Sequence, residues 1–72
     1  MKVTAIHLFP LNGQSDYSFD PPEQGRLVYE ILHDQKGIAI TKQAPSQKNP
    51  GKLTTIETTV TYNVDIQIDF EE

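Results

Sequence analysis

The chemistry open to this 72-residue chain rests on two histidines and ten carboxylates, with no cysteine. Without thiols there are no disulfides and no thiolate metal sites, and His7 and His33 alone are too few for a structural zinc without carboxylate help. No His-x-x-x-His spacing, Gly-rich phosphate loop, nucleophile elbow or EF-hand pattern is present. Both histidines fall in segments that read as strands, where a core or edge position is the ordinary role of an imidazole. Asp16, Asp20 and Glu23 share one loop and could meet a cation, but their spacing matches no calcium loop. Asp65, Asp69, Glu71 and Glu72 form an acidic cluster near the C-terminus. On a strand, Asp65 and Asp69 would share one face about 13 Å apart, too far for direct acid–base pairing, so they read as a solvated edge. No catalytic residue, cofactor or metal is assigned, and the expectation is a protein that is not an enzyme.

Charge is divided unevenly along the chain. Residues 1–52 hold all six basic residues and five acids, for +1, whereas residues 53–72 hold Glu57, Asp65, Asp69, Glu71 and Glu72 without a base, for −5. A basic footprint for nucleic acid is absent from that pattern. Charge on an edge strand keeps it soluble and unpaired. The N-terminal stretch is short in apolar residues and interrupted by Thr4 and His7, so it does not read as a signal peptide. No run approaches the roughly 20 apolar residues of a membrane span. A cytoplasmic protein that contacts neither membrane nor nucleic acid directly is expected.

The elements that would position these residues are mostly strands. Residues 2–9 are rich in Val, Thr, Ile and Phe and are stopped by Pro10; apolar side chains on both faces suggest a strand partly covered on both sides. Residues 10–25 carry Asn12-Gly13, Pro21-Pro22 and Gly25, a loop long enough to need local structure. Within it Tyr17 and Phe19 alternate with polar residues, as in a short extra strand whose rings pin the loop to the core.

Residues 26–43 fit two structures. In a hairpin, strands over 27–33 and 38–43 flank a turn at 34–37, with Gly37 at positive φ and His33 opposite Ile38, Ile31 opposite Ile40, and Tyr29 opposite Lys42. In a helix over 21–36, Asp20 caps the start, Pro21 opens the first turn and Gly37 ends it. Gly25 and the β-branched and aromatic centre Val28-Tyr29-Glu30-Ile31 favour the hairpin. Residues 44–52 form an open loop with Pro45 and Asn49-Pro50-Gly51.

From Thr54 to Phe70 the even positions are Thr54, Ile56, Thr58, Val60, Tyr62, Val64, Ile66, Ile68 and Phe70, and the odd positions are almost all polar. Alternation of period two predicts strand with the even face buried. The eighteen residues from Leu53 to Phe70, fully extended, would span about 60 Å, roughly twice the diameter of a domain of this size. With no Gly or Pro near Asn63 to build a hairpin, the segment is expected to stay one strand, bent or bulged and shared between two sheets or two subunits.

A single domain over 1–72 follows, all-β, as a small antiparallel sandwich or open barrel of four to five strands with a long bent C-terminal strand. A βαββ two-layer α+β domain is the alternative. So small a core leaves stability marginal, and without disulfides or metal, oligomerisation is the remaining reinforcement. The expected function is a protein-interaction module that self-associates, as a dimer first, through the C-terminal strand, with a further protein partner also admissible. Two other classes stay open: an acidic inhibitor or nucleic-acid mimic that binds a basic protein through Asp65, Asp69, Glu71 and Glu72, and a ligand-binding domain or enzyme using Tyr17 and Phe19 of the 10–25 loop.

Overall fold

The computed structural model describes residues 2–71. Six strands follow in order: β1 (Lys2–Pro10), β2 (Tyr17–Phe19), β3 (Arg26–Leu32), β4 (Gly37–Pro45), β5 (Leu53–Thr61) and β6 (Val64–Glu71), with one 3-10 turn at His33–Gln35. They form two antiparallel three-stranded sheets, β2-β1-β6 and β3-β4-β5. The all-β architecture expected from sequence is therefore present, with one strand more than expected, and no α-helix occupies 21–36.

Alternation decides which side chains meet between the sheets. Register places Ile6 opposite Ile68 and Leu8 opposite Ile66 in the first sheet, and Tyr29 opposite Ile40 and Ile31 opposite Ile38 in the second. Ile6, Leu8, Leu27, Ile38, Ile40 and Val64 are buried, and Val3, Phe19, Tyr29, Ile31, Ile66 and Ile68 pack around them. Full burial of each such side chain contributes about 1.5–3 kcal/mol. Among the described residues no polar or charged side chain is buried, so every group able to do chemistry lies at the surface. The outer face of β1 has no second layer over it: Ala5, His7 and Phe9 are only half-buried.

The β3–β4 hairpin forms, but two residues away from the expected register. Leu32 pairs with Gly37, Tyr29 with Ile40 and Leu27 with Lys42, because the turn comprises residues 33–36 and not 34–37. His33 lies in this turn and not on a strand. Lys36, at φ 46°, takes the left-handed position expected of Gly37. Glycine is required at 37 for another reason. A Cβ there would stand 2.6 Å from the Thr61 carbonyl oxygen and 2.8 Å from the Tyr62 ring, so a neighbouring backbone and an aromatic side chain sit directly on it.

The C-terminal segment is two strands in different sheets. β5 pairs with β4 and β6 with β1, and the chain passes between them at Tyr62-Asn63, where Asn63 has φ 58°. Asparagine tolerates this left-handed conformation without the penalty that a bulkier residue incurs, which makes Gly or Pro unnecessary. The crossover also corrects the expected buried face. Val64, Ile66 and Ile68 of β6 face inward as expected, but in β5 Thr59 and Thr61 are the half-buried residues while Ile56 and Val60 are exposed, as is Tyr62 just after the strand.

Neither face of residues 53–58 is covered. Beyond Gln43, the last β4 residue paired with β3, the β4–β5 hairpin continues as two strands only. It is an arm, and the molecule measures 41 × 24 × 21 Å with a radius of gyration of 13.2 Å, against about 11 Å for a compact chain of this length. Gly37→Ala should lower stability by about 1–3 kcal/mol, read as a reduced urea midpoint. The clash is with backbone at Thr61, so side-chain rotation cannot relieve it; an unchanged midpoint would show that the crossover does not press on β4.

Candidate functional site

On the outer face of the first sheet, three strands bring together Ser18 of β2, His7 of β1 and Asp69 of β6. Ser18 and Gln67 are the residues directly opposite His7 on its two neighbours, and Asp69 lies diagonally. His7 Nδ1 is 2.7 Å from Ser18 Oγ, and His7 Nε2 is 2.8 Å from Asp69 Oδ2. The Gln67 amide donates to the other Asp69 oxygen at 3.1 Å. Hydrogen bonding from His7, and then from Gln67, holds the Asp69 carboxyl below its usual range against the opposing effect of desolvation.

The order serine, imidazole, carboxylate is that of a nucleophile, its base and an orienting acid. With its proton on Nε2, His7 donates to Asp69 and accepts the Ser18 hydroxyl at Nδ1. Doubly protonated, it donates to both. The chain of hydrogen bonds is thus satisfied in either state. A hydrolytic site also needs donors aimed at a developing oxyanion and a wall around the substrate, whereas these side chains lie on an open sheet face. Its ordinary role is to clamp β2 and β6 onto β1 above the core.

The sequence-derived site residues fall in two places. Asp65, Asp69 and Glu71 share the outer face of β6, an edge strand; Glu72 lies outside the described residues. Asp69 is tied to His7 while its side chain stays 44% exposed. Tyr17 and Phe19 do form the short strand anticipated, β2, and their rings meet edge-on at 5.7 Å. Tyr17 is within 3.3 Å of the Thr61 hydroxyl across the sandwich. Lys42 Nζ sits 5.7 Å from the Phe19 ring and 3.8 Å from Glu57, a cation–π contact beside a loose ion pair. Phe19 packs onto the core, whereas Tyr17 is held at its hydroxyl and stays 38% exposed. Ser18 and Gln67 carry no sequence signal, since only the β1 register places them beside His7.

A shallow depression of about 400 Å³ lies elsewhere, lined by Ile31, Leu32, His33, Asp34, Gln35 and Tyr62. It shares no residue with the His7 network or with the 10–25 loop. Among the described residues no group of three or more His, Cys, Asp or Glu side chains could hold a metal ion, and no helix is long and apolar enough to cross a membrane.

The depressed Asp69 carboxyl has a defined linkage. A group whose folded value is lowered adds stability that is complete above the ordinary carboxylate range and is lost as pH falls through the folded value. Asp69→Asn should therefore lower the urea midpoint at neutral pH, and the difference from wild type should shrink below pH about 4. A constant gap from neutral to strongly acid pH would show that the His7–Asp69 bond is not the cause. No protein-family model, curated protein or solved structure matches this chain.

Proposed function

We propose that this chain is a non-enzymatic protein-interaction module that self-associates through β5 and the β4–β5 arm that extends it, as a homodimer. The observation that carries this is the condition of β5: a nine-residue edge strand with Ile56 57% and Val60 51% exposed. Scattered apolar residues on a surface are ordinary, but here they lie along one unpaired edge that is open to a further strand.

The four sheet edges are not equally protected. β2 is only three residues long. β6 carries Asp65, Asp69 and Glu71, and β3 carries Arg26 and Glu30. Short length and charge are the usual devices that keep an edge from pairing. β5 has a single charged residue, Glu57, which faces Lys42 of its own sheet. Its one device is the irregularity at Ile56, where the register to β4 shifts between Lys42 and Gln43. Residues 58–61 remain a regular, uncharged edge.

The other two classes draw less support. An acidic mimic would need its carboxylates free, and Asp69 is held by His7 and Gln67. A ligand site in the 10–25 loop would need Tyr17 and Phe19 presented outward together, and Phe19 is packed on the core beside Lys42. Sedimentation at micromolar concentration should find a dimer, and Val60→Lys should convert it to monomer while leaving the circular dichroism spectrum unchanged, since half of Val60 is already in water. A wild-type chain that stays monomeric throughout would overturn the proposal.

A further inference from the structure

An edge strand bonds alternate residues to its own sheet and leaves the backbone groups of the others open. The Thr61 carbonyl oxygen reaches over Gly37 of β4, and along an antiparallel ladder the bonding direction alternates from residue to residue. Glu57, Thr59 and Thr61 therefore bond to β4, whereas the amides and carbonyls of Thr58 and Val60 point to the open side. Groups presented in this way are matched by another strand.

The stretch that can pair has natural limits. At one end the register to β4 shifts at Ile56, and at the other the chain leaves the sheet at Tyr62-Asn63. Residues 57–61 are the regular part, and Thr59 is its middle. A symmetric antiparallel pair that uses all of it sets Thr59 opposite its own copy, Thr58 opposite Val60 and Glu57 opposite Thr61. The two Glu57 carboxylates are then about 13 Å apart along the strands, whereas a register centred on Glu57 would set like charges directly opposite. The two Val60 side chains become diagonal neighbours on the outer face, and the two Thr59 hydroxyls meet on the inner one.

The occupant follows from closure. β5 set against any other edge of a second copy is a head-to-tail contact, which leaves one β5 open and goes on adding chains. β5 set against β5 occupies that edge in both copies and stops at two. About an axis perpendicular to the sheet, each copy presents the same margin to the other, β5 over the three-residue β2.

We infer that β5 pairs antiparallel with β5 of a second copy about a twofold axis through Thr59, joining the two β3-β4-β5 sheets into one of six strands. The inference rests on the self-association proposed above and specifies its partner strand and register. Residues 53–55 of each arm then run on beyond the end of the other copy's β5.

Because the chain has no cysteine, single-cysteine variants report the register. Thr59 meets its copy as a non-hydrogen-bonded pair, with Cα atoms about 4.5 Å apart, within the span of a disulfide. Under air oxidation at micromolar concentration, Thr59→Cys should form a covalent dimer on the order of a hundredfold faster than Thr61→Cys. The Thr61→Cys thiols would stand about 13 Å apart along the strands. Thr61→Cys mixed with Glu57→Cys should link as a heterodimer, and adding Val60→Lys to Thr59→Cys should abolish its link. Non-reducing electrophoresis reads each outcome. Equal rates for Thr59→Cys and Thr61→Cys, or no heterodimer from the mixture, would overturn the inference. If sedimentation then still finds a wild-type dimer that Val60→Lys dissociates, β5 remains the contact and only its partner strand or register is wrong. A wild-type chain that stays monomeric removes both together.

Discussion

The passage of the chain between its two sheets occupies two residues, Tyr62 and Asn63, and three other parts of the molecule close on it. The Asn63 carbonyl accepts the Leu11 amide at 3.0 Å just after β1, and the Val64 amide donates to the Lys36 carbonyl at 3.1 Å in the β3–β4 turn. Tyr62 lies over Gly37 at the start of β4. The end of β1, the 33–36 turn, β5 and β6 therefore meet at one corner. Lys36 and Asn63, the two residues that bend backbone there, both take left-handed conformations. Such a corner is how strands change sheets at the margin of a sandwich, and it fixes where each sheet sits over the other.

From that corner the consequences spread along the strands. Val64 is buried at the first position of β6, and the alternation it starts carries Ile66 and Ile68 inward against Leu8 and Ile6. The same bend turns the even positions of β5 outward. Inner-facing Thr59 and Thr61 then offer hydroxyls to the β2 side of the sandwich, where Tyr17 reaches Thr61. The margin between β2 and β5 is consequently polar, held by Lys42, Glu57 and the two aromatic rings, while the apolar core is confined to β1, β3, β4 and β6.

Period-two alternation makes the strands legible in the sequence, and the β-branched content of 28–31 is enough to favour hairpin over helix. The fold class follows from such local signals. What alternation cannot report is which face of a strand the other sheet covers. Thr54 to Phe70 keeps one unbroken phase, yet its apolar side is inside at Val64 and outside at Val60, because a left-handed Asn63 reverses the strand's orientation to the core without adding or removing a residue. The β3–β4 register differs by two for a related reason: glycine at a turn is ordinarily a matter of positive φ, whereas Gly37 answers to the Thr61 carbonyl, a contact between residues far apart in sequence. The His7 network is equally hidden. Its members are spread over 63 positions from His7 to Asp69 inclusive, and only the pairing of β1 with both neighbours brings Ser18, His7 and Asp69 into line.

A hairpin that outruns the sheet beneath it is costly for a chain this small. Isolated two-stranded ribbons are marginal in water, and a third strand or a packed face is what gives them independent stability. Here β3 supplies the third strand only as far as Gln43, and the second sheet supplies no cover for residues 53–58. Backbone hydrogen bonds in that stretch compete with water on both faces, and Ile56 stays 57% exposed. The chain nevertheless orders the far end with turn-closing hydrogen bonds around Ser46 and Lys52. Ordering without coverage is stabilised when another strand adds to the β5 edge, since one contact would then shield both the apolar row and the ladder to β4. The core alone has no further apolar surface with which to do it.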